Sequence, residues 1–249
     1  MQLHVENITA TYEHNEGSFR AVENLSLQVQ TGEFVALLGT SGSGKSTLLR
    51  IIAGLQRADS GVVALNGQHI TSPHLDIAMM FQEASLMPWL TVRQNIALPL
   101  NLENVAKRDY EAQAQAILPV LGLEGFGDVY PAALSGGMAQ RVALGRVLIQ
   151  SPELLLLDEP FGALDALTRE RISMDLLKIQ TAGQFSVLMV THDIQEAIFL
   201  ADRVLVMRPR PGTIVANIPV QLPRPRTPEM VYTPEFMQLA KQARSALAG

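Results

Sequence analysis

An apolar run, Phe34 to Leu38, leads into Gly39-Thr-Ser-Gly-Ser-Gly-Lys-Ser-Thr47, and Leu48, Leu49, Ile51 and Ile52 leave it at helical spacing. No other stretch restricts the fold as much. The segment fits G-x-x-x-x-G-K-[ST] through Gly39, Gly44, Lys45 and Ser46, a pattern that requires a strand before it and a helix after it. Gly42 and Gly44 carry no Cβ, so the backbone can curl closely around an anion. Successive N–H groups then face inward, and the following helix adds its positive end. Lys45 can reach terminal phosphates, and the Ser46 hydroxyl can hold Mg²⁺. The plain alternative is a Gly/Ser-rich turn ahead of a helix; having strand and helix both in place counts against it.

The 249 residues suffice for one large domain or two small ones, and 47% are hydrophobic, enough for a sizeable core. The formal net charge is −5 with Lys and Arg scattered, which argues against a nucleic-acid partner, since such proteins show a basic stripe. There is no Cys, hence no disulfide, thiolate metal site or thiol catalysis, and a reducing compartment is permitted. The segment Met1-Gln-Leu-His-Val-Glu6 lacks a basic stretch followed by an apolar one, so no signal peptide is expected. No run approaches the ~20 apolar residues that span a bilayer. The chain is expected to be soluble, or to meet a membrane only through a partner.

Alternation marks half-buried strands at Leu3 to Tyr12 and around Leu25, Leu27 and Val29, bracketing a polar loop near His14 to Ser18. Tyr12 ends the first strand. It is either an aromatic platform for an adenine ring or an ordinary edge-strand tyrosine. Gly54 is expected to end the helix after the loop. Val62 to Leu65, Asn66-Gly67 and Gln68 to Ile70 read as a hairpin with a tight primed turn. Asp76 to Phe81 reads as a strand ending at Gln82. From Glu83 to about Gln150 the signals turn helical, with Val92 to Leu100 apolar on one face and Asp109 to Leu121 stopped by Gly122. This is read as a helical subdomain inserted in an α/β core. Leu134-Ser-Gly-Gly-Met138 opens a further helix, and its two glycines again expose N–H groups to an anion.

Leu154 to Leu157 has the continuous apolar character of a buried parallel strand. It delivers Asp158 and Glu159 at its carboxyl end, two adjacent carboxylates that are costly to bury without a cation or a proton. Beside a phosphate-binding loop, Asp158 suits Mg²⁺, and Glu159 suits orienting and deprotonating an attacking water. Leu164-Asp165 precedes a helix reaching Gln180 to Gly183. Ser186 to Val190 is another buried strand, ending in Thr191-His192 where ligands gather in open α/β sheets. Asp193 and Glu196 have the spacing of a helix-start capping box. Arg203 to Met207 and Thr213 to Ile218 read as late strands. Leu222 to Pro228 is Pro-rich and extended, and the arginines beside these prolines are expected in solvent. A terminal helix from Pro234 to about Leu247 gathers Phe236, Leu239, Ala240 and Ala243 on one face.

Taken in order, Tyr12, Gly39 to Thr47, Gln82, Leu134 to Met138, Leu154 to Glu159, Leu164-Asp165 and His192 resemble the nucleotide-binding subunit of the ATP-binding cassette (ABC) family over nearly the whole chain. The resemblance implies a phosphate-loop, RecA-like α/β core with an antiparallel β subdomain and an inserted α-helical subdomain. Residues 1–220 would form the ATPase domain, with the helical subdomain at about 83–150, and 221–249 a Pro-rich segment and helix. It implies ATP and Mg²⁺. Tyr12 would stack on adenine. Gly39, Thr40, Ser41, Gly42, Ser43, Gly44, Lys45, Ser46 and Thr47 would wrap the phosphates. Ser46, Gln82 and Asp158 would serve the metal, Glu159 would be the general base and His192 would contact the γ-phosphate. Asp165 would lie at a dimer seam, and Ser135, Gly136 and Gly137 would act on the ATP of a second copy.

The single short cassette looks like an importer subunit. Leu86-Met-Pro-Trp-Leu-Thr-Val-Arg-Gln-Asn95, Asp158-Glu-Pro-Phe-Gly-Ala-Leu-Asp-Ala-Leu-Thr168 and Arg210-Pro-Gly-Thr-Ile214 resemble the nitrate/sulfonate/taurine importer group. That group implies a homodimer, integral membrane permease subunits, an extracytoplasmic substrate-binding protein and a peripheral place on the cytoplasmic face of the inner membrane. Residues 82–95 would form the cleft that receives the permease, with Trp89 either its exposed anchor or part of the helical core. Two other readings are weaker. A soluble ABC protein of DNA repair or translation lacks its usual coiled-coil insertion or second cassette here. A small-molecule kinase leaves Leu134 to Gly137 and His192 without a purpose.

The signature of the family usually ends in Gln, and here that position is Met138, whose thioether cannot replace the hydrogen bonds of an amide. The phosphate contacts rest on the Ser135 hydroxyl and the glycine backbone, so Met138→Gln should change steady-state ATP hydrolysis only modestly. A change above about tenfold, ~1.4 kcal/mol, would contradict this.

Overall fold

The computed structural model describes residues 2–14, 17–103 and 105–248. Strand β1 (Gln2–His14) pairs antiparallel with β2 (Gly17–Gln30), so His14, Gly17 and Ser18 of the expected polar loop are strand residues, while Asn15 and Glu16 lie outside the described residues. Strand β3 (Phe34–Gly39) enters the phosphate-binding loop and α1 (Lys45–Ile52) leaves it. The hairpin of β4 (Ser60–Leu65) and β5 (Gln68–His69) turns through Asn66 and Gly67, both at positive φ (53° and 79°) as a primed turn demands. Strand β6 (Ile77–Met80) precedes the helical insert of α2 (Val92–Leu102), α3 (Lys107–Ile117) and α4 (Gly136–Leu148). The chain then runs β7 (Leu154–Asp158), α5 (Ala166–Gly183), β8 (Ser186–Thr191), α6 (Ile194–Leu200), β9 (Arg203–Arg208), β10 (Thr213–Pro219) and α7 (Pro234–Ala248).

Two sheets result. A four-stranded antiparallel sheet has the order β2-β1-β4-β5, and a six-stranded sheet the order β10-β9-β3-β8-β7-β6. The second is parallel except for β10, which runs antiparallel to β9. Strands β3, β7 and β8 are buried at every position, because both faces of the parallel sheet are covered. On one face, α1 is wedged between the sheets, with Leu48, Leu49 and Ile52 fully buried among Leu3, Leu156 and Leu188. On the other, residues of α2, α4, α5, α6 and α7 form a second core with Leu155, Leu157 and Val187.

Helix α3 ends at Ile117, a turn before the expected Leu121. Leu118 keeps helical backbone, and the break follows at Pro119, which has no N–H to continue the ladder. Gly122 takes a left-handed φ of +60° after an intervening turn. Helix α7 buries Phe236 and Ala243 fully, with Leu239 and Ala240 packed against the same core. Of the two arginines in the Pro-rich segment, Arg224 is exposed as expected and Arg226 is not. Arg226 is 6% exposed and donates to the Ala201 carbonyl, and burial pushes its guanidinium down to about 10. Arg224 pairs with Asp202 and reaches the Leu200 carbonyl. The extended segment lies across the end of α6, whose last carbonyls need donors, and arginines supply them.

The alternative of a buried Trp89 is also overturned, since its side chain is 70% exposed. The loop that carries it is nevertheless fixed. Asn95, fully buried on α2, donates to the carbonyls of Met87, Leu90 and Thr91 and accepts from the Met87 N–H.

Candidate functional site

The sheet order decides which motifs meet. Strands β3, β8, β7 and β6 are neighbours running in one direction, so their carboxyl ends share one edge. That edge holds the Gly39–Thr47 loop after β3, His192 after β8, Asp158 and Glu159 after β7, and Gln82 beyond β6. Open α/β sheets collect ligands at this edge.

Within the loop, Gly44 has φ +91°, and a Cβ there would lie 2.4 Å from the Ala21 carbonyl oxygen. Only glycine meets both conditions. Thr40, Ser41 and Gly42 form its exposed lip, while Ser43 and Lys45 are buried. The Lys45 ammonium sits inside the loop and donates to the carbonyls of Gly39 (2.8 Å) and Thr40 (2.9 Å). Burial lowers its pKa, and the nearby charges of Glu159 and Asp158 pull it back up.

The Ser46 hydroxyl donates to Asp158 Oδ1 at 2.9 Å. Asp158 is 3% exposed. Burial raises its pKa, the Ser46 hydrogen bond opposes that rise, and the neighbouring Glu159 adds to it. A buried carboxylate beside a hydroxyl is a hard oxygen pair that suits Mg²⁺, an ion that takes one or two carboxylates and completes its shell with phosphate and water. Among the described residues no three His, Asp or Glu side chains converge as a full protein cage.

Glu159 has φ +46°, uncommon for a residue with a side chain and costing about 1–3 kcal/mol. Its N–H is held by the Val190 carbonyl at 3.0 Å. Glu159 Oε2 lies 3.1 Å from His192 Nδ1 and accepts from Gln82 Nε2 at 3.3 Å. The three side chains expected to act on the reacting end of a nucleotide therefore form one cluster. Glu159 is mostly shielded (17% exposed), and His192 is open (57%).

Tyr12 is half-buried, and its hydroxyl bonds Thr47 Oγ1 (3.1 Å) and Gln56 Oε1 (3.0 Å), which fixes the ring beside α1. The edge-strand alternative is partly right: β1 is an inner strand, but its pairing with β4 stops at Thr9. Ser135 is exposed and caps α4 by accepting from the Met138 N–H at 3.2 Å, and Asp165 is exposed and caps α5 through the Thr168 N–H at 3.0 Å. The Thr168 hydrogen bonds hold the Asp165 carboxyl below its usual range. Among the described residues, no hydrogen bond links Ser135, Gly136 or Gly137 to the phosphate-binding loop of the same chain.

Several contributors carry no motif. Gln140 Nε2 donates to the Gln82 carbonyl at 2.6 Å, and Arg146 holds the carbonyls of Ala84 and Ser85, so α4 grips the segment leaving β6. Phe19, 42% exposed, is the direct cross-strand partner of Tyr12 and lines a cavity of about 620 Å³ with Arg20, Glu23, Arg210 and Pro211. Its place was open to inference, since Tyr12 and Phe19 lie symmetrically about the hairpin turn. The capping box at Asp193 closes differently from expectation. Asp193 Oδ1 accepts from the N–H groups of Gln195 and Glu196, but the Asp193 N–H goes to the Thr191 hydroxyl, which in turn bonds Glu196. Thr191, at the strand end, stands between the two halves of the box.

The comparisons with known proteins agree with this geometry. The family model for ABC transporter matches residues 22–162. The nitrate import ATP-binding protein NrtD of Synechocystis sp. is 44% identical over 255 residues, 100% of this chain and 96% of that protein. The aliphatic sulfonates import ATP-binding protein SsuB of Bacillus cereus is 41% identical over 227 residues, 91% of this chain and 89% of that protein. Among solved structures, a dimeric post-hydrolysis state of the ATP-binding cassette MJ0796, bound to ADP and Pi, is similar with a TM-score of 0.81 and 32% identity. The match spans 88% of this chain and 99% of that one. The chain belongs to the ABC transporter family. It is an ATP-binding subunit with the RecA-like cassette fold, and its activity is ATP hydrolysis.

Burial pushes Glu196 up to about 7 from an ordinary 4.5, with the Thr191 hydroxyl opposing and Asp193 adding. Between these values the folded protein holds a proton that the unfolded chain has lost, so this group's contribution to stability falls as pH rises through that window. Glu196→Gln stays neutral throughout. Urea midpoints at pH 5 and pH 8 should show the variant gaining on the parent as pH rises, and parallel pH curves would contradict the assignment.

Proposed function

We propose that the chain energises import of a small solute of the nitrate, sulfonate or taurine kind, as a head-to-tail homodimer that closes on two ATP and drives a membrane permease. The observation that carries the reading is the split of the site. Lys45, Asp158, Glu159, His192 and Gln82 gather at one edge, while Ser135 to Gly137, whose exposed N-terminal turn suits an anion, make no hydrogen bond to the phosphate-binding loop among the described residues and lie at Gly137 beside Ala163 and Leu164. One chain then supplies one phosphate loop and one signature segment to different ATP molecules.

In this reading Ser46, Asp158 and Gln82 hold Mg²⁺, which neutralises charge on the phosphates. Glu159 takes the proton of the attacking water, and His192 and Gln82 fix its carboxylate. Tyr12 stacks on adenine, and Gly39 to Thr47 wrap the phosphates. Moving the pair from mostly open to mostly closed needs ~5.5 kcal/mol of differential binding. Charge-assisted contacts to the γ-phosphate, made only in the closed pair, are of the right kind to supply it.

Residues 1–220 act as the ATPase domain, with the helical subdomain at about 83–150 facing the permease and 221–249 as an added segment. Exposed Trp89, on a loop pinned by Asn95, is the anchor for the permease. Among the described residues no helix is long and apolar enough to cross a membrane. We place the chain as a peripheral subunit on the cytoplasmic face of the inner membrane, with an extracytoplasmic substrate-binding protein delivering the solute. The solute class rests on the import functions of NrtD and SsuB, because the cassette itself offers no residue to the solute.

Glu159→Gln tests the chemistry. It should retain ATP binding, lose hydrolysis by at least about 100-fold, and accumulate as an ATP-dependent dimer in sedimentation. Hydrolysis at near the parental rate would remove Glu159 from the role of base.

A further inference from the structure

Arg169 lies in the first turn of α5, where the positive end of an 18-residue helix disfavours a cation and the N-cap Asp165 is the only acidic residue of that helix end. What it touches explains its place there. Nη2 donates to the Leu164 carbonyl at 3.1 Å, in the segment that carries Asp165. Nη1 faces Asp193 Oδ2 at 3.5 Å. Asp193 caps α6 with its other oxygen and immediately follows His192, which contacts Glu159. On the far side, Leu164 is packed against the signature segment: a Cβ on Gly137 would lie 3.1 Å from Leu164 Cδ2. Arg169, Asp193 and His192 also line, with Glu159, one small cavity of about 70 Å³.

We propose that Arg169 is a positioning residue that couples the two ATP sites of the dimer. It joins the Leu164–Asp165 segment and Gly137, which serve the ATP of the second copy, to the Asp193–His192 turn, which serves the chain's own. The planar guanidinium is suited to this, since it offers donors in a fixed fork that can hold a carbonyl and a carboxylate at once. Closure that shifts Leu164 would then carry Asp193 with it, and so move the turn whose His192 contacts Glu159. This rests on the composite-site reading of the preceding subsection.

The test uses the full chain and the ATP dependence of its steady-state hydrolysis. The variants are Arg169→Met, Arg169→Lys, Asp193→Asn (which keeps the cap on α6) and the Arg169→Met/Asp193→Asn double variant. Arg169→Met should lower kcat about tenfold, leave the Kd for a fluorescent ATP analogue within about twofold, and reduce the Hill coefficient of hydrolysis towards one. Asp193→Asn should do the same in part, and the double variant should be no worse than the poorer single. Arg169→Lys, which keeps the charge without the fork, should restore less than half of the lost rate. Losses that add in the double variant would overturn the coupling, as would a fall in melting temperature with the Hill coefficient unchanged. A parental Hill coefficient of one would overturn the composite site itself. Parental cooperativity with Arg169→Met indifferent would overturn only the role of Arg169.

Discussion

A carboxylate that is 3% exposed, Asp158, sits at the end of a strand of leucines with the Ser46 hydroxyl against one oxygen. Such a group is expensive to place unless its partners are held in register. Ser46 belongs to α1 and Asp158 to β7, 112 residues apart in sequence, and Lys45 lies beside both. The register of the parallel sheet, the wedge of α1 between the two sheets and the curl of the loop at Gly44 must all be satisfied for those atoms to meet. Mg²⁺ and phosphate would complete a charge balance that the protein alone leaves uneven.

Around this centre the fold divides its labour. The parallel sheet brings the groups proposed for catalysis to one edge. The helical insert holds its own end of the site at arm's length, through the grip of Gln140 on Gln82 and the exposed cap at Ser135. The two sets of groups are then joined by few polar contacts, those of Gln140 and Arg169 among them. A motor that must couple closure to chemistry needs such sparse, discrete links between stiff parts, because packed interiors do not deform continuously.

Much of this was legible in the residues. The strand–loop–helix at Gly39 to Thr47, the Asn66-Gly67 turn and the buried Leu154 to Leu157 strand follow from local chemistry, in which period, glycine position and apolar runs act within a few residues. The convergence of Asp158, Glu159, Gln82 and His192 came from the family resemblance, since strand order is not written in any one strand. What could not be read was long-range and polar. Arg226 was expected in solvent because it stands among prolines, yet carbonyls at the end of α6 draw it inside. Trp89 could be placed in neither environment until Asn95 was seen to pin its loop from beneath. The box at Asp193 and Glu196 has the right spacing but closes through Thr191, a residue of the preceding strand. Side chains that bond to backbone far along the chain leave no periodic trace.

The central claim is that each ATP is served by two chains, and mixing measures it directly. Lys45→Ala disables one phosphate loop, and Ser135→Arg disables one signature segment, so neither variant alone should hydrolyse ATP. Mixed and allowed to exchange, they can form a pair in which the intact loop of one chain meets the intact signature of the other. The account predicts that a 1:1 mixture regains ATP hydrolysis, to roughly a quarter of the parental rate per chain when exchange is random, since about half of the pairs are mixed and each mixed pair holds one intact site of two. A mixture as inactive as its components, under conditions where exchange of chains is demonstrated, would mean that loop and signature serve the same ATP within one chain, and the composite site would be wrong.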